Sequence, residues 1–144
     1  MRGSDLISAP LDLDAARSFH GHLGPYLVLG LRMGARIVAA LQRRHFGLQV
    51  VVHCPPQPPP SCLADGLQLS TGCTLGKRNI RIEAAEEVWV EAECSDGSGR
   101  MTLRAQAGTM QRAAEIMAGE GDVAAAQWLV SLADEELFVV EGEG

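Results

Sequence analysis

Residues 87–105 read EVWVEAECSDGSGRMTLRA, and their alternation decides the fold class. Val88, Val90, Ala92 and Cys94 fall on one side of the first run, Trp89, Glu91 and Glu93 on the other. A period of two with one apolar side is the mark of a strand that covers a core. SDGSG then supplies residues suited to a tight reversal, and RMTLRA returns as the second arm of a hairpin. Two further strands are expected upstream, in RNIRIE (78–83) and in the β-branched LQVVVHC (48–54).

The rest of the chain reads mainly as helix. Asp12 or Asp14 caps a short opening helix that runs toward Phe19, and His20 to Gly24 forms a turn. Pro25 suits the first position of a longer helix, where its missing N–H is not needed; Leu27, Leu31, Val38 and Leu41 then recur on one face, and Gly47 ends it. Gly30 and Gly34 lie on that helix. Glycine costs about 1 kcal/mol there relative to alanine, so another backbone is expected to approach closely. PPQPPPS (55–61) is a stiff connector, and Ser61 caps a short helix through Leu69. Thr109 and Asp122 are read as caps of two alanine-rich helices, within about 109–133, and LFVV (137–140) adds a strand or packs on a partner. The expectation is one α+β domain over residues 1–144, a mixed sheet flanked by helices.

Composition narrows the function. Hydrophobic residues make up 47% and charged residues 21%, as in globular proteins, and the net charge of -6 leaves no basic stripe for nucleic acid. No apolar run reaches the roughly 20 residues that span a bilayer. MRGSDLISAPLDLD lacks the apolar stretch of a secretory leader. Cys54, Cys62, Cys73 and Cys94 without any CxxC pair suit a reduced compartment, and a cytoplasmic setting is expected.

Two stretches carry chemistry. In an extended turn, residues two apart point the same way, so His20 and His22 can offer two imidazoles to one ion. On a helix they would diverge by about 200°. Cys62, Asp65 and Cys73 follow in a polar, loop-rich stretch and could add thiolate or carboxylate; sulfur with imidazole suits zinc. The helix start at Pro25 would favour an anion nearby. GCTLGK (72–77) falls one residue short of a P-loop, Arg78 stands where the magnesium-binding hydroxyl should be, and a strand follows, so that reading is rejected.

Taken together, FHGHLGPYLVLGLRMG (19–34) and CLADGLQLSTGCTLGK (62–77) resemble the FmdE family, named for one of the subunits of molybdenum formylmethanofuran dehydrogenase. Its pattern reads approximately FHGHxCPGLxxGxRxG followed by CxxDxxQxxTGCTxGKxN, and the likeness covers about residues 14–105. The resemblance implies an α+β core with an active site that holds zinc in some members. By position His20 and His22 match the paired histidines, Cys62, Asp65 and Gln68 the next element, and Thr71, Gly72, Cys73, Thr74, Gly76, Lys77 and Asn79 the loop. Some members append a zinc finger; with no cysteine after Cys94, a core-domain form is expected. Two positions depart from the pattern: Gly24 stands where the family has cysteine, and Tyr26 where it has glycine.

These observations give an expected metal set of His20, His22, Cys62 and Cys73, most simply with zinc. Lys77 would stabilise negative charge and Asp65 would orient a histidine. Cys73 could instead act as a nucleophile with a histidine as base, and Cys54 could stand in for the lost thiolate. The alternatives are an accessory or dimerising subunit with a decayed site, and a metal carrier. A homodimer is expected from the Gly30/Gly34 face and the apolar tail, and molybdenum or tungsten oxidoreductase subunits are partners implied by the family.

Overall fold

The computed structural model describes residues 6–9 and 11–143; residues 1–5, 10 and 144, the first six of them in the N-terminal stretch read above for a leader, lie outside it. The chain runs α1 (Leu13–His20), α2 (Pro25–Leu41), β1 (Leu48–Cys54), α3 (Leu63–Thr71), β2 (Ile80–Ala84), β3 (Trp89–Cys94), β4 (Arg100–Ala105), α4 (Ala107–Glu120), α5 (Asp122–Val130), α6 (Asp134–Leu137) and β5 (Phe138–Glu143). The sheet order is β2-β1-β3-β4-β5. β1 and β2 are parallel, joined by the crossover that contains α3, and the other pairs are antiparallel. A mixed sheet with helices is the α+β class that the alternation of residues 87–105 implies. Among the described residues no helix is long and apolar enough to cross a membrane.

Val50, Val52, Val90, Ala92, Met101 and Leu103 point from the strands into one core with Leu29, Met33 and Ile37 of α2 and Leu63 and Leu67 of α3. The other sheet face carries Gln49, Arg81, Glu91 and Arg100, all exposed. Polar residues on that face and apolar residues on the other are the arrangement expected of a sheet covered on one side.

The close approach read from Gly30 and Gly34 is real, and its partner is α3. A Cβ on Gly30 would lie 2.1 Å from the Leu63 carbonyl oxygen, one on Gly66 2.3 Å from the Leu27 carbonyl oxygen, and one on Gly34 1.7 Å from Ser70 Oγ. The two helices therefore touch backbone to backbone, with their N-terminal ends side by side. This face is used inside the chain, as is LFVV, whose last three residues lie in β5 beside β4. Neither feature argues for a second copy.

Four boundaries differ from the sequence expectation. Ser61 lies in a 3-10 turn, Pro60–Cys62, and Cys62 takes the cap position of α3. α2 stops at Leu41, because Gln42 takes a left-handed conformation (φ 55) and its side-chain amide donates to the carbonyls of Val38 and Ala39. Thr109 lies inside α4, and its hydroxyl donates to the Glu136 carbonyl at 2.6 Å. Asp122 is the first residue of α5, after the cap Gly121.

Gly30→Ala should lower stability by at least about 2 kcal/mol, since a backbone carbonyl cannot move aside as a side chain can. Gly119→Ala, in α4 with nothing within 4 Å of the added carbon, should instead raise it by roughly 0.5 kcal/mol. Urea melts of the two variants check the pair; equal effects would refute the account of the crossing.

Candidate active site at the α1–α2 junction

The paired histidines are brought together by a helix end rather than by an extended turn. His20 is the last residue of α1, which Asp12 caps by accepting from the Ala15 N–H at 3.0 Å. Gly21 follows with φ 104, and its N–H returns to the Arg17 carbonyl at 2.7 Å. This left-handed residue, natural for glycine, reverses the chain and lays His22 beside His20, ring centroids 4.7 Å apart. Gly24 is extended and caps α2, with Pro25 in the first turn as expected.

Because α3 starts alongside the start of α2, Asp65 in its first turn meets His20, with Oδ2 2.5 Å from Nδ1. The His20 side chain is only 9% exposed, and its other nitrogen, Nε2, is buried without a hydrogen-bond partner among the described residues. Asp122 arrives from the start of α5, with Oδ2 3.2 Å from His22 Nδ1. His20, His22, Cys62 and Asp122 line a cleft of about 390 Å³, walled by Tyr26, Pro58, Pro59 and Met117. Among the described residues no lysine or arginine lines it.

Burial, then the nearby charges of Asp65 and Asp122, push the Cys62 thiol above the ordinary range. Burial, and then Cys54, raise the Tyr26 phenol likewise, so both groups are neutral proton carriers at physiological pH. In the conformation described, no three His, Cys, Asp or Glu side chains among the described residues enclose a metal position. His22 and Asp122 are about half exposed, so both have room to turn.

The other expected residues lie elsewhere. Cys73 follows the far end of α3, about 13 Å along the helix from Cys62, fully buried with Sγ 3.7 Å from the carbonyl oxygens of His45 and Leu48. Burial above all raises its thiol, against the weaker lowering effects of Thr71 and Lys77, so it is a poor nucleophile in this setting. Lys77 Nζ stands 3.4 Å from Thr74 Oγ1 and 5.6 Å from the centre of the Phe46 ring. Cys54 is buried at the end of β1 and does not line the cleft.

The TGCTLGK loop instead ties α3 to β1. Thr71 Oγ1 accepts from the Cys73 N–H, Asn79 Oδ1 from the Thr74 N–H and Gln68 Oε1 from the Leu75 N–H, while Asn79 Nδ2 donates to the carbonyls of His45 and Leu48. The structure thus gathers His20, His22, Cys62 and Asp65 from the expected set and leaves Cys73 and Lys77 outside it.

The family described as FmdE, molybdenum formylmethanofuran dehydrogenase operon, matches residues 19–139. The chain belongs to the FmdE family. A probable S-adenosyl-L-methionine-binding protein of Archaeoglobus fulgidus is 33% identical over 72 residues, covering 45% of this chain and 18% of that protein. The chain thus spans less than a fifth of the length of that curated relative. The FmdE match reaches through α4 and α5, beyond the motifs, and so includes Asp122. Sequence reasoning missed Asp122 because a helix-start aspartate is read as a cap. Tyr26 carried a signal, as the bulky residue standing where the family has glycine.

Cys62 is the one cysteine that is not buried. Its raised pKa predicts slow alkylation by iodoacetamide at neutral pH, with the rate climbing as the pH rises toward that pKa. Asp65→Asn removes a nearby negative charge and should move the rate profile to lower pH. Mass spectrometry of the modified peptide checks this, and an unmoved profile would refute the electrostatic account.

Proposed function

We propose that this FmdE-family chain binds a divalent metal, zinc foremost, in the cleft at the α1–α2 junction, with His20, His22 and Cys62 as ligands, and uses it in an enzymatic reaction. The observation that carries the reading is the state of His20. Asp65 engages Nδ1, so that in the neutral ring the proton sits there and the lone pair on Nε2, an atom that is buried and unpartnered among the described residues. A carboxylate behind an imidazole whose other nitrogen is free is the arrangement by which proteins orient and strengthen a metal-binding histidine. The donor set fits: His22 and the Cys62 thiol line the same cleft, and Asp122 supplies negative charge without a lysine or arginine to oppose a cation.

When bound, the metal would polarise a carbonyl or lower the pKa of water. The chain's own residues do the rest. Asp65 fixes the His20 tautomer; Pro58, Pro59 and Met117 exclude water from one side of the cleft; Tyr26 offers a neutral phenol as a hydrogen-bond donor. Lys77 and Cys73 have no part in this version of the site.

The family's description supports assembly with subunits of a molybdenum oxidoreductase. Such a partner, or a second copy of this chain, would have the open sheet face available, where Arg81, Arg100, Glu91 and Glu93 alternate in charge. A second reading takes the Archaeoglobus relative's name as its lead: a cleft with an aspartate, an aromatic ring and no lysine or arginine among the described residues also suits a sulfonium cation.

Elemental analysis of metal-loaded protein tests the main reading. Near-stoichiometric zinc is expected in the wild type and in Cys73→Ser, and its loss in the His20→Ala, His22→Ala double variant. Metal retained by the double variant would sink the assignment. Calorimetric binding of S-adenosylmethionine to metal-free protein would favour the second reading.

A further inference from the structure

We propose that Asp122 is an anionic ligand of the cleft metal, filling the place that the family motif gives to a thiolate at position 24. This rests on the metal reading above. A Cβ on Gly24 would lie 3.2 Å from His22 Cε1 and 3.6 Å from His22 Nδ1, so a cysteine there would stand against that edge of the imidazole. In this chain that position has no side chain. The Asp122 carboxylate, 3.2 Å from the same Nδ1, approaches the same ring atom from α5.

The spacing is itself informative. Two donor atoms each bound at about 2.1 Å to one ion are held about 3.0 to 3.4 Å apart. A half-exposed histidine–aspartate pair contributes little to stability by itself. A second observation points to the same ligand: His20 lines the same cleft one ring away from His22, its side chain nine-tenths buried and its Nε2 buried without a partner among the described residues.

Replacing a thiolate by a carboxylate alters the donor set from two imidazoles and two sulfurs to two imidazoles, the Cys62 sulfur and an oxygen. Harder divalent ions such as iron(II), cobalt(II) and manganese(II) then compete better with zinc than they would at a site with two sulfurs. The substitution also draws a residue outside the motif-bearing stretch, from the start of α5, into the chemistry.

Gly24 has φ -136 and ψ 167, a conformation open to any residue, and the His22 ring that a new side chain would meet is half exposed and able to shift. The exchange can therefore be reversed by mutation. Wild type, Asp122→Asn and the double variant Gly24→Cys, Asp122→Asn would be titrated with cobalt(II), followed by visible and near-ultraviolet absorbance, and then with zinc in competition. Asp122→Asn should weaken cobalt binding at least about tenfold, with the thermal midpoint of the metal-free protein unchanged. The double variant should regain affinity and add sulfur-to-cobalt charge-transfer absorbance beyond that of the wild type.

Asp122→Asn binding cobalt as the wild type does, while His20→Ala fails to bind, would overturn this proposal alone and leave an ordinary surface ion pair. A double variant that regains nothing would overturn the exchange of ligand. A wild type that binds neither ion would overturn the metal reading as well.

Discussion

The backbone contact between α2 and α3 is the constraint on which the site depends. Gly30 admits the Leu63 carbonyl, and Gly66 admits the Leu27 carbonyl. With no Cβ on either side the two helices settle closer than side chains would allow, and they run in the same direction. Their N-terminal ends therefore coincide in space. The first turn of α3 carries Asp65, and just before it stands Cys62; just before α2 stand His20, His22 and Gly24. Moving α3 outward by the thickness of a methyl group would carry Asp65 away from His20 Nδ1 and dissolve the pairing on which the reading of the site rests.

The cleft's electrostatics follow from the same placement, and they set aside one sequence expectation. The start of α2 carries a partial positive charge, which by itself would favour an anion. Here that charge faces Asp65 and Asp122 as well as two imidazoles, and among the described residues no lysine or arginine lines the cleft. Full charges outweigh the fraction carried by a helix end, and the proposed cation site draws on that balance.

Much of this was legible in the sequence, for identifiable reasons. Strand alternation gave Val90 and Ala92 their inward face, Pro25 marked a helix start, and two helical glycines announced a close neighbour without saying which one. The part that was not legible is three-dimensional. Cys62 and Cys73 belong to one motif, and proximity in sequence invites one site; nine residues of helix between them place their side chains at opposite ends of α3. His20 reads as part of a turn, yet it ends a helix, and only the left-handed Gly21 makes the two rings neighbours. Asp122 could not be found by spacing at all, because what brings it to His22 is the packing of α5 over α2.

The motif therefore divides by structural role along its length. Its first half and the CxxD element form the cleft, while TGCTLGK and Asn79 bind their own backbone and fasten the far end of α3 to β1. The fastening matters to the chemistry even though it contributes no reacting group. α3 is short, at nine residues, and a short helix held only at its glycine crossing could pivot about that point. With Asn79 tying the carbonyls of His45 and Leu48 to the loop after α3, the C-terminal end is fixed to the sheet. Fixing one end and the crossing leaves the N-terminal end, with Asp65, no freedom to swing away from His20. A loop that reads like a catalytic signature thus holds the helix that carries Asp65 still, which is what preorganisation of the proposed ligand His20 and its carboxylate requires.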